Sequence, residues 1–158
     1  MDERDARGEK ALASLLAGLE ELNRARERGE IEDHRSVERM YHRPSTRLAV
    51  YGSLAPGEVN HHVIETVAGN WERGFVRGEV QMEGWGSHVG FPGLTWLPSR
   101  GEQVPVRLLT SRELPAHWSR IDEFEGRDYV RILVLVEGVR DDPLVTNLYQ
   151  IRSPTPQP

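Results

Sequence analysis

A chain of 158 residues and 18.0 kDa has room for one domain with extra material at its ends. Its formal charge of −5 excludes the basic footprint of a nucleic-acid binder, and the lack of cysteine excludes a disulfide framework, a thiolate nucleophile and a Cys-ligated metal. Hydrophobic content of 37% and a mean hydropathy of −0.57 are lean for a packed domain, so part of the chain is expected to lie outside the core.

No apolar run approaches a membrane span and the acidic N-terminus is unlike a signal peptide, so the expectation is a cytoplasmic protein without a membrane or nucleic-acid partner. Residues 1–44 read as a polar helical extension. Leu12, Leu15, Leu16, Leu19 and Leu22 form one apolar stripe at helical spacing. Gly29 can end that helix, and Glu30 to Met40 can form a second, weaker one. Arg24, Arg26 and Arg28 alternate with Glu27 and Glu30 as a solvated face would. The stripe admits two readings: a helix that docks a partner or a second copy as a homodimer, or one lying against its own domain. The second is favoured. Pro44 ends the region.

Residues 45–152 carry the main domain. Arg47 to Tyr51 reads as a short strand running into Gly52, Ser53, Leu54, Ala55, Pro56 and Gly57. A small-residue loop at a strand end leaves backbone N–H groups free to cup an anion or a polarised carbonyl. It is no P-loop, having no GK[ST] after it. Ser53 as a nucleophile lacks both GxSxG and an identifiable base. Asn60 can cap a short helix through His61, Ile64 and Val67. His61 and His62 point to different faces, the other histidines are scattered, and no metal site is read.

Gly69 to Met82 alternates as a strand, with Trp71, Arg73, Phe75, Arg77 and Glu79 on one side and bulges expected at Gly74 and Gly78. In Glu83 to Pro98, Gly84, Gly86, Gly90 and Gly93 allow close backbone approach. Trp85, Phe91 and Trp96 suit either a pocket rim or ordinary packing. Val104 to Leu109 is a further strand. Thr110 or Ser111 opens the next helix, Thr110 and Glu113 having capping-box spacing. Within it Leu114, Trp118, Ile121 and Glu125 lie at offsets of zero, four, seven and eleven, on one face. Three are apolar, so the face looks inward; the fourth is a carboxylate, costly there unless paired or used. Asp122 and Glu123 fall off the stripe and can stay in water. Gly126 sits where a helix end favours positive φ. Tyr129 to Val136 is the strongest strand signal, and Leu144 to Ile151 pairs with it through a polar turn. Residues 153–158 form a proline-rich tail expected to be disordered.

Two stretches now stand together: Tyr51-Gly52-Ser53-Leu54 after a strand, and Ile121-Asp122-x-x-Glu125-Gly126-x-x-Tyr129-x-Arg131 between a helix and a strand, with Gly90-Phe91-Pro92-Gly93 between them. The combination resembles the gamma-glutamylcyclotransferase-like superfamily over residues 47–151. The resemblance implies an α+β fold, a small mixed β-barrel with flanking helices, to which the N-terminal helical extension is added. It implies that Glu125 is the general acid/base, and that Tyr51, Gly52, Ser53, Leu54 and Tyr129 bind substrate. It also implies a reaction without cofactor that releases 5-oxoproline and a free amine or amino acid from a small γ-glutamyl compound. The loop reads YGSL where some members read YGSN, and members differ in substrate.

Such chemistry needs no serine, thiol or metal, because the substrate's α-amine is its own nucleophile. The chain must be held curled, the ammonium, of free pKa about 8, must lose a proton, and the developing oxyanion must meet donors. An inward Glu125 beside Trp118 and Ile121 would carry the raised pKa that suits a general base. A binding module on the same fold, with the N-terminal helices docking a partner, is the alternative.

Overall fold

The structure is a computed structural model that describes residues 2–81 and 93–152. Helix α1 runs from Glu3 to Glu27, capped by the Asp2 carboxylate accepting from the Arg4 amide. Helix α2, His34–Met40, is capped in the same way by Asp33. The strands come next: β1 (Arg47–Val50), β2 (Asn70–Gln81), β3 (Gly93–Trp96), β4 (Glu102–Thr110), then helix α3 (Trp118–Glu125), β5 (Tyr129–Val136) and β6 (Leu144–Ile151). No helix among the described residues is long and apolar enough to cross a membrane.

One six-stranded mixed sheet has the order β3-β2-β4-β1-β6-β5. All neighbours are antiparallel except β1 and β6, which run parallel with Leu48 opposite Asn147. The sheet curls until its far strands meet. Phe75 and Glu137 exchange two backbone hydrogen bonds of 2.9 and 2.8 Å, joining β2 to the end of β5. The Trp96 amide donates to the Gln150 side chain at 2.7 Å, joining β3 to β6. The result is a nearly closed barrel, the α+β architecture that the motifs implied.

The glycines expected to bulge β2 do something else. Gly74 and Gly78 stay in regular register with Val106 and Glu102. Gly74 is where the sheet closes on itself: a Cβ there would lie 2.8 Å from the Glu137 carbonyl oxygen and 2.9 Å from Val136. Seam contact, and not an extra residue, is what demands glycine.

Strand alternation divides the apolar residues into two clusters. Ala49, Val76, Leu94, Val106, Ile132 and Leu148 belong to one. Leu48, Val50, Leu109, Tyr149 and Ile151 point the other way and receive α3 and the loop after β1. Trp96 is buried among the first set, so of its two readings the packing one holds. Trp85, Phe91 and Gly90 lie outside the described residues, as does the tail 153–158.

The N-terminal helices lie against their own domain. Leu15, Leu16, Leu19 and Leu22 pack on the first cluster, while Leu12 stays exposed. Buried Asn23 clamps strand β5: its Nδ2 donates to the Leu133 carbonyl and its Oδ1 accepts from the Leu133 amide, both at 2.8 Å. Arg26 corrects the expectation of a solvated face. It is largely buried and bidentate to Glu32 at 2.7 and 3.0 Å, and it also donates to Asn147 in β6 at 3.1 Å.

Candidate active site

The apolar stripe that ends in Glu125 is realised, although not as one helix. Thr110 belongs to β4, paired with Arg47 and Asn70, so it cannot cap. Glu113 accepts from the Ala68 amide at 2.9 Å instead of closing a capping box. A single 3₁₀ turn, Leu114–Ala116, precedes α3. Leu114, Trp118 and Ile121 are nevertheless all buried in the second cluster. Burying an Ile or Leu side chain is worth roughly 1.5–3 kcal/mol, which seats α3 firmly on the sheet. The Trp118 indole N–H donates to the Ser45 carbonyl at 2.8 Å and fixes the helix rotation. Gly126 ends the helix at φ 80°, where a side chain would be strained.

This places Glu125, at the last turn, partly buried. Its carboxylate accepts no hydrogen bond from another described residue. Burial, and after it the charge of Asp122, pushes its pKa up to about 7. Three tyrosines share the same electrostatic neighbourhood. The Tyr129 hydroxyl is pushed up to about 12 by burial, then by Glu125 and Asp128. Tyr51 and Tyr149 are raised further, chiefly by burial, with Glu125 contributing to each. The strand end at residue 51 and the helix end at residue 125 thus lie in one electrostatic neighbourhood.

The loop after β1 is tied through its own carbonyls. The Ala55 amide donates to the Gly52 carbonyl at 3.0 Å, and the Asn60 amide to the Ser53 carbonyl at 2.9 Å. The Asn60 side chain donates to Ser53 Oγ at 3.0 Å, and His61 Nδ1 lies 2.9 Å from the Leu54 carbonyl. Asn60 was expected to cap a helix. It ties the loop instead, and the next element is one 3₁₀ turn, His61–Val63, without a side-chain cap. With the carbonyls of Gly52, Ser53 and Leu54 so engaged, their amides make no hydrogen bond to another described residue. Such a row of turn amides can meet negative charge. The side-chain partner of Ser53 Oγ is an amide and not a base, which disfavours a serine nucleophile.

The Tyr51 hydroxyl is committed elsewhere. It donates to the Tyr149 carbonyl at 2.6 Å and accepts from the Leu94 amide at 3.1 Å, bridging β6 and β3. Tyr51→Phe would leave a backbone donor and an acceptor unpaired. The expected cost is about 2 kcal/mol, read as a lower urea midpoint; an unchanged midpoint would mean that water replaces the hydroxyl without loss.

Local spacing does not reveal a polar layer around Asp122, one turn from Glu125. Asp122, expected to stay in water, keeps a side chain that is 42% exposed, but it also receives Arg131 Nε and Nη2 at 2.9 and 3.3 Å and the Tyr149 hydroxyl at 2.5 Å. Arg131 stacks over the Trp118 ring at 4.3 Å and donates to Asn147 at 3.1 Å. Arg26 reaches the same Asn147 oxygen. A continuous chain of polar contacts thus runs from Glu32 in the N-terminal segment to Asp122, one turn from Glu125. It borders a cavity of about 430 Å³ lined in part by Arg26, Glu32, Asp122, Tyr129 and Tyr149. Asp122 and Arg131 stood within the quoted motif; Tyr149, in the middle of β6, carried no local signal. Among the described residues no group of three His, Asp or Glu side chains could hold a metal ion.

A nearly closed mixed barrel with flanking helices places the chain among small α+β domains. The family described as "Gamma-glutamyl cyclotransferase, AIG2-like" matches residues 48–157, and the chain belongs to it. Solved structures share the fold. An AIG2-like protein from Mus musculus is 23% identical, covering 70% of this chain and 80% of its own, with a TM-score of 0.53. YkqA from Bacillus subtilis is also 23% identical, covering 67% of this chain and 35% of its own, with a TM-score of 0.52. Allophanate hydrolase from Kluyveromyces lactis is 13% identical, covering 68% and 17%, with a TM-score of 0.55. No curated protein matches the sequence. The family match starts after Arg26 and Glu32, so part of the wall of the 430 Å³ cavity comes from outside the matched residues.

Proposed function

We propose that this protein is a γ-glutamyl cyclotransferase with Glu125 as general acid/base. The observation that supports the reading is a partly buried carboxylate at the end of α3, pushed up to about pKa 7 by burial, whose charge also reaches Tyr51, Tyr129 and Tyr149. A base of that pKa holds a substantial charged fraction at neutral pH and can still return its proton.

In the proposed reaction the α-ammonium of a bound γ-glutamyl compound gives a proton to Glu125. The freed amine attacks the γ-carbonyl, the new C–N bond closes a five-membered ring, and negative charge gathers on the carbonyl oxygen. The amides of Gly52, Ser53 and Leu54 suit either that oxyanion or the substrate's carboxylate. The bond to the leaving nitrogen then breaks as Glu125 delivers its proton to it; the ring nitrogen gives up its second proton to the same carboxylate, which passes it to the departing amine so that it leaves as an ammonium. 5-Oxoproline and an amine or amino acid leave, with no water, cofactor or redox change required. Tyr129 is proposed to contact the bound glutamyl unit. A cytoplasmic location and a small-molecule partner accompany this reading.

The test is release of 5-oxoproline from a panel of γ-glutamyl amino acids, γ-glutamylamines and glutathione. No release from any of them would overturn the proposal. A second expectation concerns Asp122, a positioning residue here. Its charge adds to the upward push on Glu125, and it balances Arg131. Asp122→Asn removes the first effect and leaves Arg131 unbalanced, and both favour ionised Glu125. The acid limb of the kcat/KM profile should therefore move to lower pH. A limb that stays in place, or moves up, would show that this charge does not reach the base.

A further inference from the structure

On the sheet face that receives α3, two arginines stand side by side. Arg73 of β2 is directly opposite Arg107 of β4, and Arg107 is in turn opposite Val50, the residue before Tyr51. Like charges directly opposed across an antiparallel pair destabilise it. Neither arginine is ion-paired among the described residues. The nearby acids are engaged elsewhere: Glu72 with Arg140 at 3.0 Å and Glu137 with Arg77 at 3.2 Å. Arg107 is partly buried, and its Nε is a buried donor without a hydrogen-bond partner among the described residues. A structure keeps an orphaned donor beside a second cation at a cost, unless something anionic uses the two together.

The arginines line a groove of about 280 Å³ whose other walls include Tyr51 and Ala55 of the loop after β1, and Pro105. Guanidinium forks suit a planar carboxylate, which can take two parallel N–H donors. The geometry points to Arg73 and Arg107 as a carboxylate-binding subsite that reads the leaving group, so that γ-glutamyl amino acids are preferred over γ-glutamylamines. This rests on the proposed cyclotransferase reading for the meaning of "leaving group", while the carboxylate site itself stands on the groove.

The experiment compares γ-glutamylalanine with γ-glutamylethylamine, which differ at the leaving group only by the carboxylate. The wild-type protein is expected to favour the former by about ten-fold or more in kcat/KM, one bidentate contact being worth roughly that factor. Arg107→Met and Arg73→Met should erase the preference through KM, with kcat nearly unchanged. Arg107→Lys, which keeps the charge, should restore part of it; circular dichroism confirms that each variant is folded. Equal use of the two compounds by the wild type, or a preference that survives the double Met variant, overturns the subsite. If neither compound is turned over, the reaction assignment has failed, and calorimetric binding of N-acetylalanine against its amide decides the subsite alone. Binding of the acid only, lost in Arg107→Met, supports it; equal affinities overturn it.

Discussion

Glu125→Gln is expected to lower 5-oxoproline release by about 10²–10⁴-fold, the range supplied by a positioned general acid/base, and to make the protein more stable at alkaline pH. The two effects share one cause. The carboxyl titrates near 7 in the folded chain against an ordinary value of 4.5. Between those values the folded state holds the proton more tightly than the unfolded chain, so stability falls as pH rises through the window. Above about pH 7 the loss is complete. The shift corresponds to about 3 kcal/mol. Glutamine keeps the shape and cannot ionise. Variant and wild type should therefore unfold at similar urea concentrations near pH 4.5 and separate by pH 8, the variant being the more resistant. The activity profile of the wild type should rise through the same pH range. Parallel stability curves at both pH values would mean that the charge is well solvated, and the assigned base would be wrong.

Asn23→Ala should produce the largest loss of stability among single changes outside the apolar core. One buried amide satisfies both the N–H and the C=O of Leu133 across 110 positions of sequence. Each buried backbone group left unpaired costs about 1–3 kcal/mol, and the total should be about 3 kcal/mol. In a chain of this size that corresponds to a melting temperature lower by roughly 6–12 °C. Asn23→Leu should fare no better, since volume without donor and acceptor leaves the buried Leu133 amide and carbonyl unpaired. A shift of a degree or two in either variant would show that α1 is a loose appendage.

The main elements were legible because they depend on local spacing. The α3 stripe has period 3.6 and β5 is almost wholly apolar, so both survive whatever surrounds them. What stayed hidden depended on partners far along the chain. Thr110 could not cap, since pairing with Arg47 and Asn70 had already claimed it. Asp122 lay off the stripe, and only the return of β5 and β6 brings Arg131 and Tyr149 to it. Arg26 looked like one of several surface charges until β6 placed Asn147 within its reach. Gly74 differed from a bulge glycine only through Glu137, which is 63 positions away and meets it when the sheet closes. The loop at residues 51–54 and Glu125 stand out in the sequence as candidates for chemistry; the polar contacts around Asp122 do not.

The hydroxyl bridge from Tyr51 has a kinetic consequence. Since one phenol ties two wall strands together directly behind the loop, swinging that loop outward would orphan an amide and a carbonyl in the wall. Under the proposed reaction, product release is therefore not expected to wait on movement of this loop, and turnover should respond little to solvent viscosity beyond the ordinary diffusive drag on a small molecule.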